Sequence, residues 1–117
     1  MKGIYLYTAN DSLTHYVGGR PIIHKDSITA SYYYLDSHAT RKREENRVGL
    51  EGFFSYNINK PYTVPFGIMV SENVENLLFT CALSATHVGI STLRMEPTFM
   101  TLGQAAGVGS YIALENN

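Results

Sequence analysis

Tryptophan is absent from this 117-residue chain, and cysteine occurs once, at Cys81. One thiol excludes an internal disulfide and any metal centre built from several cysteines. An excess of charge is missing too: nine Lys and Arg stand against ten Asp and Glu, a net charge of −1. That balance provides no bulk attraction to nucleic acid or to an anionic membrane. The opening Met1-Lys2-Gly3-Ile4-Tyr5-Leu6 has no apolar run long enough for a signal peptide, so none is expected here. The uncharged stretch Pro97–Leu114 holds ten apolar residues among eighteen, with four polar side chains, three glycines and one proline. A spanning helix wants about 20 predominantly apolar residues, so a helix buried in protein is expected instead. His15, His24, His38 and His87 show no short metal-ligand spacing, and no metal site is expected.

What is present is enough for one folded domain, with 44% apolar residues. Lys2–Ala9 and Ile28–Leu35 are rich in Tyr, Ile and Thr and read as strands. Asn10-Asp11-Ser12 and Gly18-Gly19-Arg20-Pro21 read as turns. Thr40–Asn46 is a charged connection in which Glu44 and Glu45 offset Arg41, Lys42 and Arg43, and Gly49–Gly52 is irregular. A short strand is expected at Phe53–Tyr56, an edge or extended segment at Tyr62–Val64 between two prolines, and a further strand at Phe66–Val70. Glu75–Cys81 reads as a buried strand, Ala82–Glu96 as a loop and Pro97–Leu114 as one long helix. The fold class is therefore α+β: several strands of a sheet, then a strand and a long buried helix, as in a piece of a larger α/β protein. A strand leading through a loop to a helix N-terminus gathers free N–H groups and the positive end of the dipole where an electron-rich ligand group can sit.

The helix needs partners. Phe99, Leu102, Gly103, Ala106, Ser110 and Ala113 share one face at a 3.6-residue period, while Met100, Val108, Tyr111, Ile112 and Leu114 spread apolar surface elsewhere. Interior glycines each cost about 0.5–1 kcal/mol relative to Ala, which close packing must offset. No other helix is expected in the chain to cover this one, so it calls for a second copy or for a larger protein around it.

Among polar residues, Asp36 and His38 are two apart after a strand, so both can point the same way, with His38 as acid or base and Asp36 orienting it. The competing reading is a strand-end Asp on backbone hydrogen bonds beside a structural His. His87 follows Ser84-Ala85-Thr86 and suits either a site or a loop held by backbone contacts. Arg94 is expected either on a ligand or in a pair with Glu96 or another acid, and Cys81 as a small buried hydrophobe.

The stretch ENLLFTCALSATHVGISTLRMEPTFMTLGQAAGVG, Glu75 to Gly109, resembles the C-terminal flavin-contacting segment of FAD-dependent oxidoreductases with two dinucleotide-binding domains. Tyr34–His38 (YLDSH) and Pro61–Val70 (PYTVPFGIMV) resemble the same family in order and spacing. Some relatives carry a xanthan lyase label, whereas these motifs point to flavin. The resemblance implies FAD as cofactor, with hydride or electron transfer to or from an unknown small molecule. It implies Ala82 and Leu83 near the ribityl chain, and Pro97, Thr98 and Phe99 at the pyrimidine edge of the ring, where reduced flavin carries negative charge. Asp36 and His38 would line the substrate side of the flavin, and His87 would sit close to the flavin, as candidate catalytic residues. It divides the chain into residues 1–70, part of a substrate-side sheet, and 71–117, the end of an FAD-binding domain. The Gly-rich strand–turn–helix that holds the FAD pyrophosphate has no counterpart in the sequence, so this chain alone is expected to be inactive. Its partner would be that N-terminal portion, or a second copy of itself. A self-associating module without catalysis is the alternative, and a carbohydrate-processing enzyme a more distant one.

Overall fold

The computed structural model describes residues 2–15, 18–39, 45–46, 50 and 52–116. The class is α+β, as expected. A single turn α1 (Ala9–Ser12) precedes β1 (Ser27–Ser31), β2 (Leu35–Ser37), β3 (Phe54–Tyr56) and β4 (Tyr62–Pro65), followed by α2 (His87–Leu93) and α3 (Glu96–Glu115). The strands form two antiparallel pairs, β1 with β4 and β2 with β3. In the first, Thr29 faces Val64 and Ser31 faces Tyr62, with the register shifting between Ser27 and Thr29. In the second, Asp36 faces Ser55 and Ser37 faces Phe54. The charged stretch 40–44 and residues 47–49 and 51 lie outside the described residues.

One core joins the two ends of the chain. Tyr7, Leu35, Tyr62, Val64, Ile68, Leu83, Leu93 and Leu102 are buried together. Tyr62 and Val64, two apart on β4, deliver their side chains to the same face, as strand geometry requires. The Tyr62 hydroxyl reaches Thr92 on α2, 2.9 Å from its carbonyl and 2.7 Å from its Oγ1. Gly89 lets α2 lie against the N-terminal stretch: a Cβ there would stand 2.6 Å from the Tyr7 carbonyl oxygen.

Several expected elements differ. Residues 2–9 form no continuous strand, because they are shared between two neighbours. Ile4 N–H donates to Val70 at 3.1 Å, while Tyr7 N–H donates to Ser84 at 2.9 Å and Thr86 N–H returns to Tyr7 at 2.8 Å. Each pairing is too short for a ladder. The turn at Asn10–Ser12 is instead α1, where Asp11 reaches back to the Thr8 N–H at 2.7 Å. The Ile28–Leu35 strand is broken, with residues 32–34 outside both β1 and β2. Phe66–Ile68 is a 3-10 turn rather than a strand, because Asp26 holds it: its carboxylate accepts Gly67 N–H at 3.0 Å and its carbonyl accepts Phe66 N–H at 2.9 Å.

The strand expected over Glu75–Cys81 is also absent; Leu78 makes one isolated bridge to Val70, and Asn76 has a φ of 56°. Cys81 is exposed, not a buried hydrophobe. The loop expected over Ala82–Glu96 contains the helix α2, where no helix was expected.

The long helix is present, one residue longer at each end than expected, but this chain does not bury it. Only Thr98 and Leu102 of its residues are buried. It packs on β1, and further along Gly109 comes close to Phe66, where a Cβ would stand 3.2 Å from the ring. The radius of gyration is 16.0 Å, against about 13 Å for an evenly packed chain of this length. No helix among the described residues is long and apolar enough to cross a membrane.

Candidate functional site

Thr86 caps α2 by accepting the Gly89 N–H at 3.1 Å, a typical Ser/Thr cap geometry. His87, Ser91 and Arg94 then fall at intervals of four and three along α2, on one face, and all three turn toward β2. His87 Nε2 lies 2.7 Å from the Ser37 hydroxyl, which donates to the Gly52 carbonyl at 2.7 Å. With that single hydroxyl proton committed, the His87 bond has Nε2–H as donor. Ser91 Oγ accepts the Asp36 N–H at 3.2 Å and donates to Val88 at 2.6 Å. Arg94, at the C-terminal cap where a cation suits the dipole, donates from Nη2 to Asp36 Oδ2 at 2.8 Å. This settles the partner of Arg94: it is Asp36.

The structure thus unites the sequence-derived Asp36, His38, His87 and Arg94 in one polar seam between α2 and β2. Asp36 and His38 do point the same way, with His38 Nε2 3.1 Å from Asp36 Oδ2. The Asp36 side chain is 15% exposed and that of His38 73%. Tyr33 Oη adds a third donor to Oδ2 at 3.3 Å. Burial pushes the Asp36 carboxyl up, but the hydrogen bond and charge of His38, the Tyr33 hydrogen bond and the Arg94 charge together hold it below the ordinary carboxylate range. The Tyr33 phenol is pushed up to about 12, first by its bond with Tyr34, so it stays a donor.

A pH dependence follows. Because the folded-state pKa of Asp36 is depressed, its stabilising contribution is fully present above the unfolded value of about 3.9. It is lost as pH falls from there through the lower folded value. Asp36→Asn is therefore expected to destabilise the chain at pH 7 and to make little difference in strong acid. Denaturant midpoints for both forms at the two pH values test this; an equal difference at both would refute it.

Ser37, Ser91 and Tyr33 were not expected from sequence. Once α2 is known, Ser91 is legible from its spacing between His87 and Arg94. The Thr86 cap was the available signal for α2, masked by Gly89 and the β-branched Val88, Ile90 and Thr92, all weak helix formers.

The second group lies at the start of α3. Met95 is the N-cap and offers no side-chain acceptor, and Pro97 occupies the first turn. The first turn pairs only at Phe99, whose N–H reaches the Met95 carbonyl at 3.1 Å; the Glu96 and Thr98 N–H groups have no acceptor among the described residues. Pro97 is exposed, Thr98 buried and Phe99 half-buried against the core. Ala82 is exposed, whereas Leu83 belongs to the core cluster on which Phe99 packs. The two helices differ in their caps: α2 is capped by its own Thr86, while α3 has no side-chain cap and carries Pro97 in its first turn.

The chain is thus an α+β fold in which the long helix α3 begins two residues after Arg94 of the polar seam. The family model of FAD-dependent oxidoreductases matches residues 1–117, and the chain belongs to that family. FAD is accordingly its cofactor. The match gives nothing for the xanthan lyase label. No curated protein and no solved structure matches the chain.

Proposed function

We propose that this chain supplies one wall of the active site of an FAD-dependent oxidoreductase. The open first turn of α3 carries the reading: Pro97, Thr98 and Phe99 would hold the pyrimidine edge of the ring, with Ala82 and Leu83 toward the ribityl chain. When bound, the flavin supplies hydride or electron transfer to or from a small molecule, and the protein supplies orientation and electrostatics. On the substrate side, Asp36 orients His38, which accepts or gives a proton, and His87 borders the same seam through Ser37. In this reading the Gly-rich unit that grips the FAD pyrophosphate is supplied by another stretch of protein, and the chain depends on it for activity.

That partner has a surface to meet. On the outer side of α3, Met100, Tyr111 and Leu114 are 74%, 64% and 76% exposed. A Cβ on Gly103 or Gly107 would find nothing within 4 Å. Co-expression with the N-terminal flavin-binding half of a family member is expected to yield a yellow, co-purifying complex. Failure of both association and flavin absorbance would reject the proposal. The same open face also suits a second copy of the chain, as in a self-associating module; a stable flavin-free dimer on analytical ultracentrifugation would favour that reading.

Gly103→Ala and Gly107→Ala separate the free chain from the assembly. In the free chain each is expected to stabilise α3 by about 0.5–1 kcal/mol, since Ala restricts the unfolded chain and meets no obstacle. In the complex each should weaken association. Melting curves and a binding titration measure the two effects, and equal behaviour in both states would count against an interface there.

A further inference from the structure

We infer that Arg94 is a positioning residue that fixes the ring of His38, with Nε2–H turned inward and Nδ1 left as the atom that exchanges a proton with substrate. The inference rests on the reading of His38 just given. Three donors converge on one carboxylate oxygen, Asp36 Oδ2: Arg94 Nη2 at 2.8 Å, His38 Nε2 at 3.1 Å and Tyr33 Oη at 3.3 Å. Arg94 Nη2 also stands 3.3 Å from His38 Nε2. A guanidinium nitrogen offers only donors. If Nε2 accepted from it, its lone pair would face the carboxylate oxygen at the shorter distance. The nearer, charged acceptor decides for Nε2–H.

The arrangement is a chain of constraints. Ser91 holds the Asp36 backbone at 3.2 Å, and Arg94, tied to the end of α2 by its N–H on Ile90 at 3.1 Å, holds the carboxylate. The carboxylate then sets the ring. His38 itself is largely exposed, so its ring is held mainly by polar contacts, which among the described residues are Asp36 Oδ2 and Arg94 Nη2. Among the described residues, the titratable or charged groups on the ring, or on the carboxylate oxygen that holds it, are Asp36 and Tyr33 from the β2 side and Arg94 at the end of α2. A single Arg94 nitrogen, Nη2, reaches both Asp36 Oδ2 at 2.8 Å and the Asp36 carbonyl at 3.4 Å; a lysine at position 94 keeps the charge but puts it on a freely rotating ammonium rather than a rigid planar group.

Nitrogen-15 ring spectra of the histidine-labelled full chain test the assignment. In the unmodified protein, His38 is expected as a single Nε2–H form with an observable ring proton. Arg94→Gln should lose that proton signal to exchange and shift both ring nitrogens toward averaged values, while the His87 and His24 signals stay in place and the melting temperature falls only by the loss of the Arg94–Asp36 pair. Should Arg94→Gln fail to fold, Arg94→Lys, which retains the charge, should still broaden the His38 proton. An Nδ1–H form in the unmodified chain, or unchanged His38 signals in the folded variant, would overturn the inference. Flavin reduction in the assembled protein is a separate readout. If the ring spectra behave as expected but His38→Gln leaves reduction unaffected, the positioning stands and the acid–base reading of the site falls.

Discussion

Replacing Leu102 with Ala is expected to destabilise the chain by about 2–5 kcal/mol, the usual cost of emptying a fully buried leucine site. The magnitude follows from how α3 is attached. Leu102 is completely buried, Thr98 is the other buried residue of the helix, and Phe99 and Ala105 pack only partly on the core. Removing Leu102 therefore weakens the docking of the whole helix as well as its own packing. Amide exchange along α3 should rise, and the denaturant midpoint should fall. Leu114→Ala is the control: at 76% exposure it leaves almost no cavity, and its effect should remain within about 0.5 kcal/mol. Similar losses at the two positions would mean that the anchor has been misplaced.

The second large effect concerns chemistry. In the assembled flavoprotein, His38→Gln is expected to slow substrate-driven flavin reduction by about 10²–10⁴-fold, the range of a positioned acid or base, with flavin content unchanged. Stopped-flow absorbance measures the rate and the bound-flavin ratio together. A drop in flavin content with an unchanged rate per flavin would move His38 from proton transfer to structure. The contrast with His87 is informative, since its Nε2 is already committed to Ser37 at 2.7 Å; His87→Gln should cost less in rate and more in the seating of α2 on β2.

The parts of the site that were legible in the sequence were local. Asp36 and His38 lie two apart, so a single extended strand brings them together, and the structure agrees. The start of α3 was also legible, because Pro97 favours a first turn, although the helix begins one residue earlier, at Glu96. The partner of Arg94 was not legible: Glu96 was an equal candidate by proximity, and the choice of Asp36, 58 residues away, depends on how α2 lies on β2. The buried strand over Glu75–Cys81 failed for a related reason. Its apolar content suits a strand, but a strand needs an edge to pair with, and only Leu78 finds one, at Val70. Cys81 is exposed as a consequence.

The family, the flavin and the long uncharged helix were determined by the order of residues alone, since each rests on neighbours in the chain: a motif, a cap, a periodicity. The tertiary structure alone decided three further matters. It replaced an expected loop with α2, sealed against Tyr7 through Gly89; it gathered Tyr33, Asp36, His38 and Arg94 around one carboxylate oxygen; and it left the outer face of α3 bare. The physical reason is the same in each case. Long-range contacts depend on which surfaces the core has already covered, and no local pattern of side chains encodes that.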